Sequence, residues 1–252
     1  MPIHNQSRLA LTNRLLTALP PREYRRLAPS LEPVFLDVNQ VLYQPHAPID
    51  QVYFPDDAVI SIVSCTKEGW TVEVGMVGYE GVVGLHVLLG ASPTPYLYMT
   101  LTRGTAHRIQ AEKLKAEFQR GGALQSLFLR YTQARLIQFA QIHVCNYFHP
   151  IPKRICRWLL MVHDRTMSNE LSLTQEAISQ VLRVRRTGIT EAMGTLQKEK
   201  LFSYHYGRIT ILDRGGLERT ACECYETIRH GFNHLPKSGS PHSGKRSNRR
   251  LG

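Results

Sequence analysis

The chain has no apolar run approaching the roughly 18 residues that cross a bilayer, and no signal-peptide pattern opens it. A cytoplasmic protein without a membrane partner is therefore expected. Its five cysteines, Cys65, Cys145, Cys156, Cys222 and Cys224, are odd in number and none is spaced as Cys-x-x-Cys. That argues against a disulfide framework and fits a reducing compartment. Cys222-x-Cys224 with His230 nearby offers too few ligands at suitable spacing for a metal site, so no metal or other cofactor is expected. Also missing are a nucleophile elbow, a phosphate loop, a metal-spaced His/Cys set and an obvious carboxylate pair. An enzyme is not expected.

Acidic residues are the scarcer charge: 20 Asp and Glu against 31 Lys and Arg, a net charge of +11. An anionic partner fits that balance. The segment after Pro236 holds Lys237, Lys245, Arg246, Arg249 and Arg250 with no acid, so the rest of the chain carries +6. This tail reads either as a solvated basic stretch or as a disordered arm that adds phosphate contacts. The 252 residues, 42% apolar, suit two moderate domains or one large one.

The texture changes along the chain. Leu11, Leu15, Leu16 and Leu19 recur at helical spacing until Pro20-Pro21 stops the run. Between Pro33 and Ile109, short runs rich in Val, Ile, Tyr and Phe follow one another: 34–38, 51–54, 59–64, 71–77, 96–101 and 105–109. With no helical crossovers between them, they predict an antiparallel β-roll or barrel. Helical texture returns at Ala111–Phe118, then over a long helix at about Ala123–Tyr147. On that helix Leu124, Phe128, Tyr131, Ala134, Gln138, Ile142 and Cys145 trace one stripe; Leu129, Leu136, Phe139 and His143 trace another. One stripe would cover the roll and the other a second copy of the chain. Leu124, Phe128, Tyr131, Gln138 and Ile142 are assigned to the dimer helix. A helix buried within one subunit is the alternative. His149-Pro150-Ile151-Pro152 is a stiff break and candidate hinge, followed by a helix at about Lys153–Arg165 that buries Ile155, Leu159 and Val162. A last helix is expected at Ala221–His230.

Residues 173–212 carry the most information. They read as helix, tight turn, helix and two-stranded hairpin. Ser172 or Thr174 caps the first helix. Ile178, Val181 and Leu182 face its core, and Ser179 is small enough to let the second helix approach. Val184 plugs the turn; Ile189, Ala192, Met193 and Leu196 form the second buried face, closed by Leu201. Arg186, Thr187, Thr190 and Glu191 then fall on the open face. Guanidinium and hydroxyl groups at the start of a short helix can reach base edges in the major groove. The hairpin of Phe202–His205 and Arg208–Leu212 reads as a wing, with Arg208 placed for a phosphate.

With these residues in view, the chain resembles bacterial regulators of the Crp/Fnr type, named after the cyclic-AMP receptor protein and the fumarate–nitrate reduction regulator. The resemblance covers about residues 10–225. Its two blocks are VYFPDDAVISIVSCTKEGWTVEVGMVGYEGVVGLHVLLG (52–90) and LTQEAISQVLRVRRTGITEAMGTLQKEKLFSYHYGRITILD (173–213). It implies an α+β fold: an N-terminal antiparallel β-roll of cyclic-nucleotide-binding type, a long dimerisation helix and a C-terminal winged helix-turn-helix. The corresponding domains are 1–122, 123–148 and 149–230, with 231–252 as a disordered tail. It also implies a homodimer on a near-palindromic site in double-stranded DNA, with RNA polymerase and an unidentified effector as further candidate partners. Arg186 matches the guanine-reading arginine, Thr174 a phosphate-binding residue and Arg208 a basic wing residue. Thr187 and Glu191 depart from the usual base readers. Arg185 stands where a capping serine is common, and it either contacts phosphate or is solvated. Arg183 replaces a turn glycine, at a cost on the order of 1 kcal/mol for a left-handed backbone.

Cyclic-nucleotide members carry Gly-Glu-Leu-Gly and then Arg-Ser or Arg-Thr. Here the match is Gly81-Val82-Val83-Gly84, and 85–98 contain no Arg or Lys. A buried phosphate without a cation is costly, so control by cyclic AMP is not expected. Tyr79, Glu80, Gly81, Val82, Gly84, Tyr96 and Tyr98, with His86, would surround the vestigial pocket. No cysteine precedes Cys65 to hold an iron–sulfur centre of the oxygen-sensing kind. The alternative function is a ligand-binding or protein-interaction roll whose DNA-binding domain has lost sequence reading.

Overall fold

A single carboxamide organises the start of the fold. Asn13 Oδ1 accepts from the backbone N–H groups of Leu15 and Leu16, capping helix α1 (Arg14–Thr17), while its Nδ2 donates to the carbonyls of Pro55 and Gly81. The computed structural model describes residues 11–90, 93–166 and 168–236; the basic tail from Lys237 onward lies outside them. The prolines predicted as a stop do end α1, but Pro21 also opens α2 (Pro21–Leu27) at its first position. There its missing N–H costs nothing and its φ is already helical.

Seven strands follow: β1 (Glu32–Leu36), β2 (Val41–Tyr43), β3 (Gln51–Pro55), β4 (Val59–Cys65), β5 (Thr71–Val77), β6 (Leu97–Thr102) and β7 (Gly104–Gln110). They form two antiparallel sheets, ordered β1-β7-β3 and β2-β6-β4-β5. The predicted roll is present, with β2 as an additional strand too short to show a period. Val52, Phe54, Ile60, Ile62, Met76, Ala106 and Ile109 are buried in its core.

Helix α3 (Ala111–Gln119) leads into α4 (Ala123–Phe148), whose first N–H groups, at Ala123 and Leu124, are taken by the Glu23 carboxylate of α2. The orientation of α4 corrects the dimer assignment. Leu124, Phe128, Tyr131, Gln138 and Ile142 are all buried inside the subunit. Phe128 packs edge-on to Phe54 and Phe118, and Tyr131 lies beside Phe232. These side chains are the larger and more continuous apolar stripe, and the roll takes them. The stripe left outside is the other one.

The break after α4 is shorter than expected. Helix α5 (Ile151–Thr166) begins immediately after Pro150 and accepts Pro152 in its first turn, where proline is tolerated. Every residue from Ile155 to Val162 is buried, not one face alone. The reason is position: the middle of α5 lies between the roll and the C-terminal elements, so that stretch has no solvent side. Beyond it come β8 (Glu170–Ser172), α6 (Gln175–Leu182), α7 (Arg186–Lys198), β9 (Phe202–His205), β10 (Arg208–Ile211), α8 (Arg214–Thr220) and α9 (Cys224–Asn233). Strands β8-β10-β9 form a third antiparallel sheet. Helix α9 returns to pack along α4 and buries Tyr225, Ile228 and Phe232. Residues 231–236, grouped with the tail by sequence, belong to the fold. Phe232 and Leu235 are buried there, and Arg14 donates to the carbonyls of Leu235 and Pro236.

Candidate nucleic-acid interface and sensor pocket

Thr174 starts the helix-turn-helix unit. Its hydroxyl accepts from Ala177 N at 3.1 Å, which fixes the first turn of α6. At the other end Arg183 adopts the left-handed conformation, with φ 53° and ψ 52°. Its guanidinium lies 3.9 Å from the ring centroid of Trp70, in the hairpin between β4 and β5. A cation–π contact at such a site is worth about 0.5–1 kcal/mol, comparable to the backbone cost. The contact joins residues far apart in the chain, so no local pattern marks it. Ser179 does more than stay small: its hydroxyl donates to Val184 O at 2.7 Å and ties the turn.

Helix α7 then buries Ile189, Ala192, Met193 and Leu196 and leaves Arg185, Arg186, Thr187, Thr190 and Glu191 exposed. The predicted inner and outer faces therefore have the expected phase. Thr190 is less free than its exposure suggests. Its hydroxyl is 2.9 Å from Gln175 Oε1 and 3.0 Å from Arg186 O. Gln175 thus links the starts of α6 and α7, a role that no periodicity marked. Arg185 precedes the helix without a side-chain capping bond.

The wing turns at Tyr206 and Gly207, both with positive φ (46° and 78°), as a two-residue hairpin turn needs. A Cβ on Gly207 would meet Thr174 Cγ2 at 3.2 Å, so the wing tip stands beside the start of α6. Exposed Arg208 lies opposite Ser172 in the register and 3.7 Å from Glu170. Such an exposed pair contributes little, so Arg208 stays available to an anion. Thr174 and Arg208 are thereby brought to the same end of the domain.

The predicted vestigial pocket is filled rather than open. Tyr131 from α4 donates to Val82 O at 3.3 Å, and a Cβ on Gly81 would collide with its hydroxyl. Glycine at 81 is required by that close approach. Gly84, with φ 103°, serves the backbone turn instead. Gly81→Ala is expected to destabilise the chain by about 1–3 kcal/mol through overpacking; urea unfolding would measure it, and an unchanged midpoint would contradict the contact. Tyr98 is buried, its hydroxyl 3.3 Å from His86 Nδ1, with half-buried Tyr96 close by. Burial holds the Tyr98 phenol well above its ordinary range and pushes the His86 imidazole down. Tyr79 and Glu80 point elsewhere: they line a cavity of about 200 Å³ with Arg165 and Phe232. Glu80 is already engaged, accepting from Arg165 Nε at 2.8 Å and from Gly78 N. The missing cation in 85–98 has a counterpart that sequence order hid. Arg135 of α4 is buried and donates to Met76 O at 2.6 Å, while its Nη2 has no partner among the described residues.

One more buried contact joins the roll to α5, and a second, between β4 and β5, braces it. Trp158 Nε1 donates to Glu73 Oε1 at 2.8 Å, and Ser61 Oγ donates to Glu73 Oε2 at 2.5 Å. Burial raises the Glu73 carboxyl to about 7, against those two hydrogen bonds and the charges of Arg157 and Arg165. Cys145, His149, Cys222 and Cys224 also converge. His230, the histidine nearest the last two in sequence beyond them, is exposed and takes no part.

With this geometry established, known proteins supply a comparison. Residues 153–220 match the family described as the Crp-like helix-turn-helix domain. A global nitrogen regulator from a Nostoc strain is 20% identical over 200 residues, covering 75% of this chain and 90% of that protein. A transcriptional regulator of the Crp/Fnr family from Eubacterium rectale superposes with TM-score 0.64 at 17% identity, over 83% of this chain and 98% of its own. FixK2 from Bradyrhizobium japonicum gives TM-score 0.64 at 12% identity, over 76% and 98%. At these identities the solved structures establish a shared fold. No described helix is long and apolar enough to cross a membrane.

Proposed function

We propose, for a chain of the Crp/Fnr type carrying a Crp-like helix-turn-helix domain at residues 153–220, that it is a cytoplasmic, sequence-specific transcription regulator. It acts as a homodimer on a near-palindromic DNA site and is not controlled by cyclic AMP. The observation that carries this reading is the exposed start of α7. Arg186 and Thr187 stand free there, between a capped first helix and a wing, with Thr174 and Arg208 at the edge for phosphates. Arg186 can donate two parallel hydrogen bonds to guanine O6 and N7. Thr190 and Glu191 follow one turn along, and Arg185 adds positive charge.

The dimer reading rests on the outer stripe of α4. Ser126, Leu129, Gln133, Leu136, Ala140, His143 and Tyr147 are exposed and alternate at spacings of three and four, the pattern of a coiled-coil seam. Leu136 is 60% and Tyr147 79% exposed in the single subunit. Leu136→Glu is expected to convert a dimer into a monomer by putting a charge at the centre of that seam. Sedimentation of the full chain measures this, and an intact dimer would reject the seam. The lack of cyclic-AMP control is supported by Glu80 being tied to Arg165 and by Tyr131 lying over Gly81. Arg135 is the group that makes a direct test necessary.

Selection of bound DNA from a random pool, with and without cyclic AMP, tests the whole proposal. A two-fold symmetric consensus that cyclic AMP leaves unchanged is expected. Enrichment only with cyclic AMP would overturn the effector part. Equal retention of all sequences would overturn base reading.

A further inference from the structure

Cys145 and His149 stand one turn apart where α4 ends, and Cys222 and Cys224 flank the start of α9. None of the four lies on α6, α7 or the wing. One ligand atom from each of the four residues lies within 4.8 Å of all the others. Cys145 Sγ is 3.4 Å from Cys222 Sγ, and Cys224 Sγ is 3.5 Å from His149 Nδ1. An ion held tetrahedrally, about 2.3 Å from sulfur and about 2.0 Å from nitrogen, keeps its ligand atoms roughly 3.5–3.8 Å apart. The cluster is close to that size. A centre of several irons spreads its ligands further.

We propose that Cys145, His149, Cys222 and Cys224 bind one thiophilic divalent cation, zinc in kind, as a closed Cys3His structural site.

The groups around the cluster fit this chemistry. Gln141 Nε2 donates to Cys224 Sγ at 3.1 Å, and Arg157 Nε donates to Cys145 Sγ at 3.1 Å. His149 turns Nδ1 toward the sulfurs and Nε2 toward Glu223, 3.2 Å away, the usual way a carboxylate orients a ligating imidazole. Arg157 supplies a charge argument. It is fully buried, and its side-chain hydrogen bonds go to the sulfurs of Cys145 and Met161. Neutral thiols are weak acceptors for a buried cation. Three thiolates and a divalent ion carry a net single negative charge, which offsets it. Each binding thiol gives its proton to solvent. A Cys145–Cys222 disulfide would use two of these residues and leave Cys224, His149 and Glu223 without a role. The cysteines are all buried and four protein ligands complete the shell, so the site is structural. It bridges the His149-Pro150 break, fastening the end of α4 to the start of α9.

The test uses the full chain, reduced and grown with zinc. Elemental analysis is expected to find one zinc per chain. After stripping, cobalt(II) is expected to produce a thiolate-to-cobalt charge-transfer band and the strong d–d bands of tetrahedral coordination, both abolished by zinc. Cys222→Ser and His149→Ala should lose the tetrahedral spectrum. Cys65→Ser, exposed and outside the cluster, should keep it. Glu223→Gln, a change at the surface, should keep the fold by circular dichroism and weaken cobalt binding about 10–100-fold. Substoichiometric zinc, an octahedral cobalt spectrum or undiminished binding by Cys222→Ser would overturn the site. So would a Cys145–Cys222 disulfide that forms with zinc present.

Discussion

Replacing Arg186 with alanine is expected to cost about 1–3 kcal/mol per half-site on the selected operator, roughly a fivefold to 150-fold loss of affinity for each half-site, and to relax the preference at one base pair of each. Arg186 is the first residue of α7 and is exposed. Its backbone carbonyl accepts from Thr190, so the helix start keeps its geometry when the side chain is removed. The loss should therefore come from bonds to the base and not from local unfolding. On random DNA the same variant should change affinity little. Arg208→Ala is the contrasting case. Loss of a phosphate contact on the wing should weaken all sequences alike and reduce the salt slope by about one per half-site. Titrations of both variants against operator and scrambled duplexes, at several salt concentrations, separate the two roles. Equal loss for Arg186→Ala on both duplexes would remove it from base reading.

The second large effect concerns pH. Glu73 is fully buried and burial raises its carboxyl from 4.5 to about 7. A carboxyl that holds its proton more tightly when folded contributes stability that is fully present below pH 4.5. That stability is lost as pH rises through about 7. Folding, including the docking of α5 on the roll, should thus weaken between mildly acidic and mildly alkaline conditions. Glu73→Gln keeps an acceptor for Trp158 and removes the titration. It should flatten this part of the stability profile and make the chain more stable at pH 8 by at most about 3 kcal/mol. The chain has two tryptophans, and Trp158 is the buried one, so its emission during urea unfolding reports the change. A variant with the wild-type slope between pH 5 and 8 would contradict the assignment.

Much of the architecture was legible in the sequence because local period and burial agree there. The strands from β3 to β7 and the faces of α6 and α7 repeat often enough to fix their phase. What stayed hidden depends on partners far along the chain. Nothing in α5 announces that all of 155–162 would be enclosed, because that follows from being placed between two other bodies. Two apolar stripes on α4 were visible, but which faced inward was decided by Phe54, Phe118 and Phe232. Strands β2 and β8 have three residues each, too few for any period. The cysteine and histidine cluster joins positions 77 residues apart, beyond what spacing rules search. Within the interface, the outward set of α7 was readable, whereas Gln175 under Thr190 and Trp70 under Arg183 were not.

The return of α9 along α4 bears on how this molecule can be taken apart. The matched helix-turn-helix segment stops at 220, yet Tyr225, Ile228, Phe232 and Leu235 are buried beyond it. Arg14 holds the carbonyls of Leu235 and Pro236, so the first described helix and the last described residues are laced to each other. A gene fragment trimmed to 153–220 would leave Trp158 and the inner side of α5 without their cover, and it would strip the back of α4 in whatever remained. The span matched to the helix-turn-helix domain and the span whose buried surfaces stay covered are therefore different lengths of the same chain.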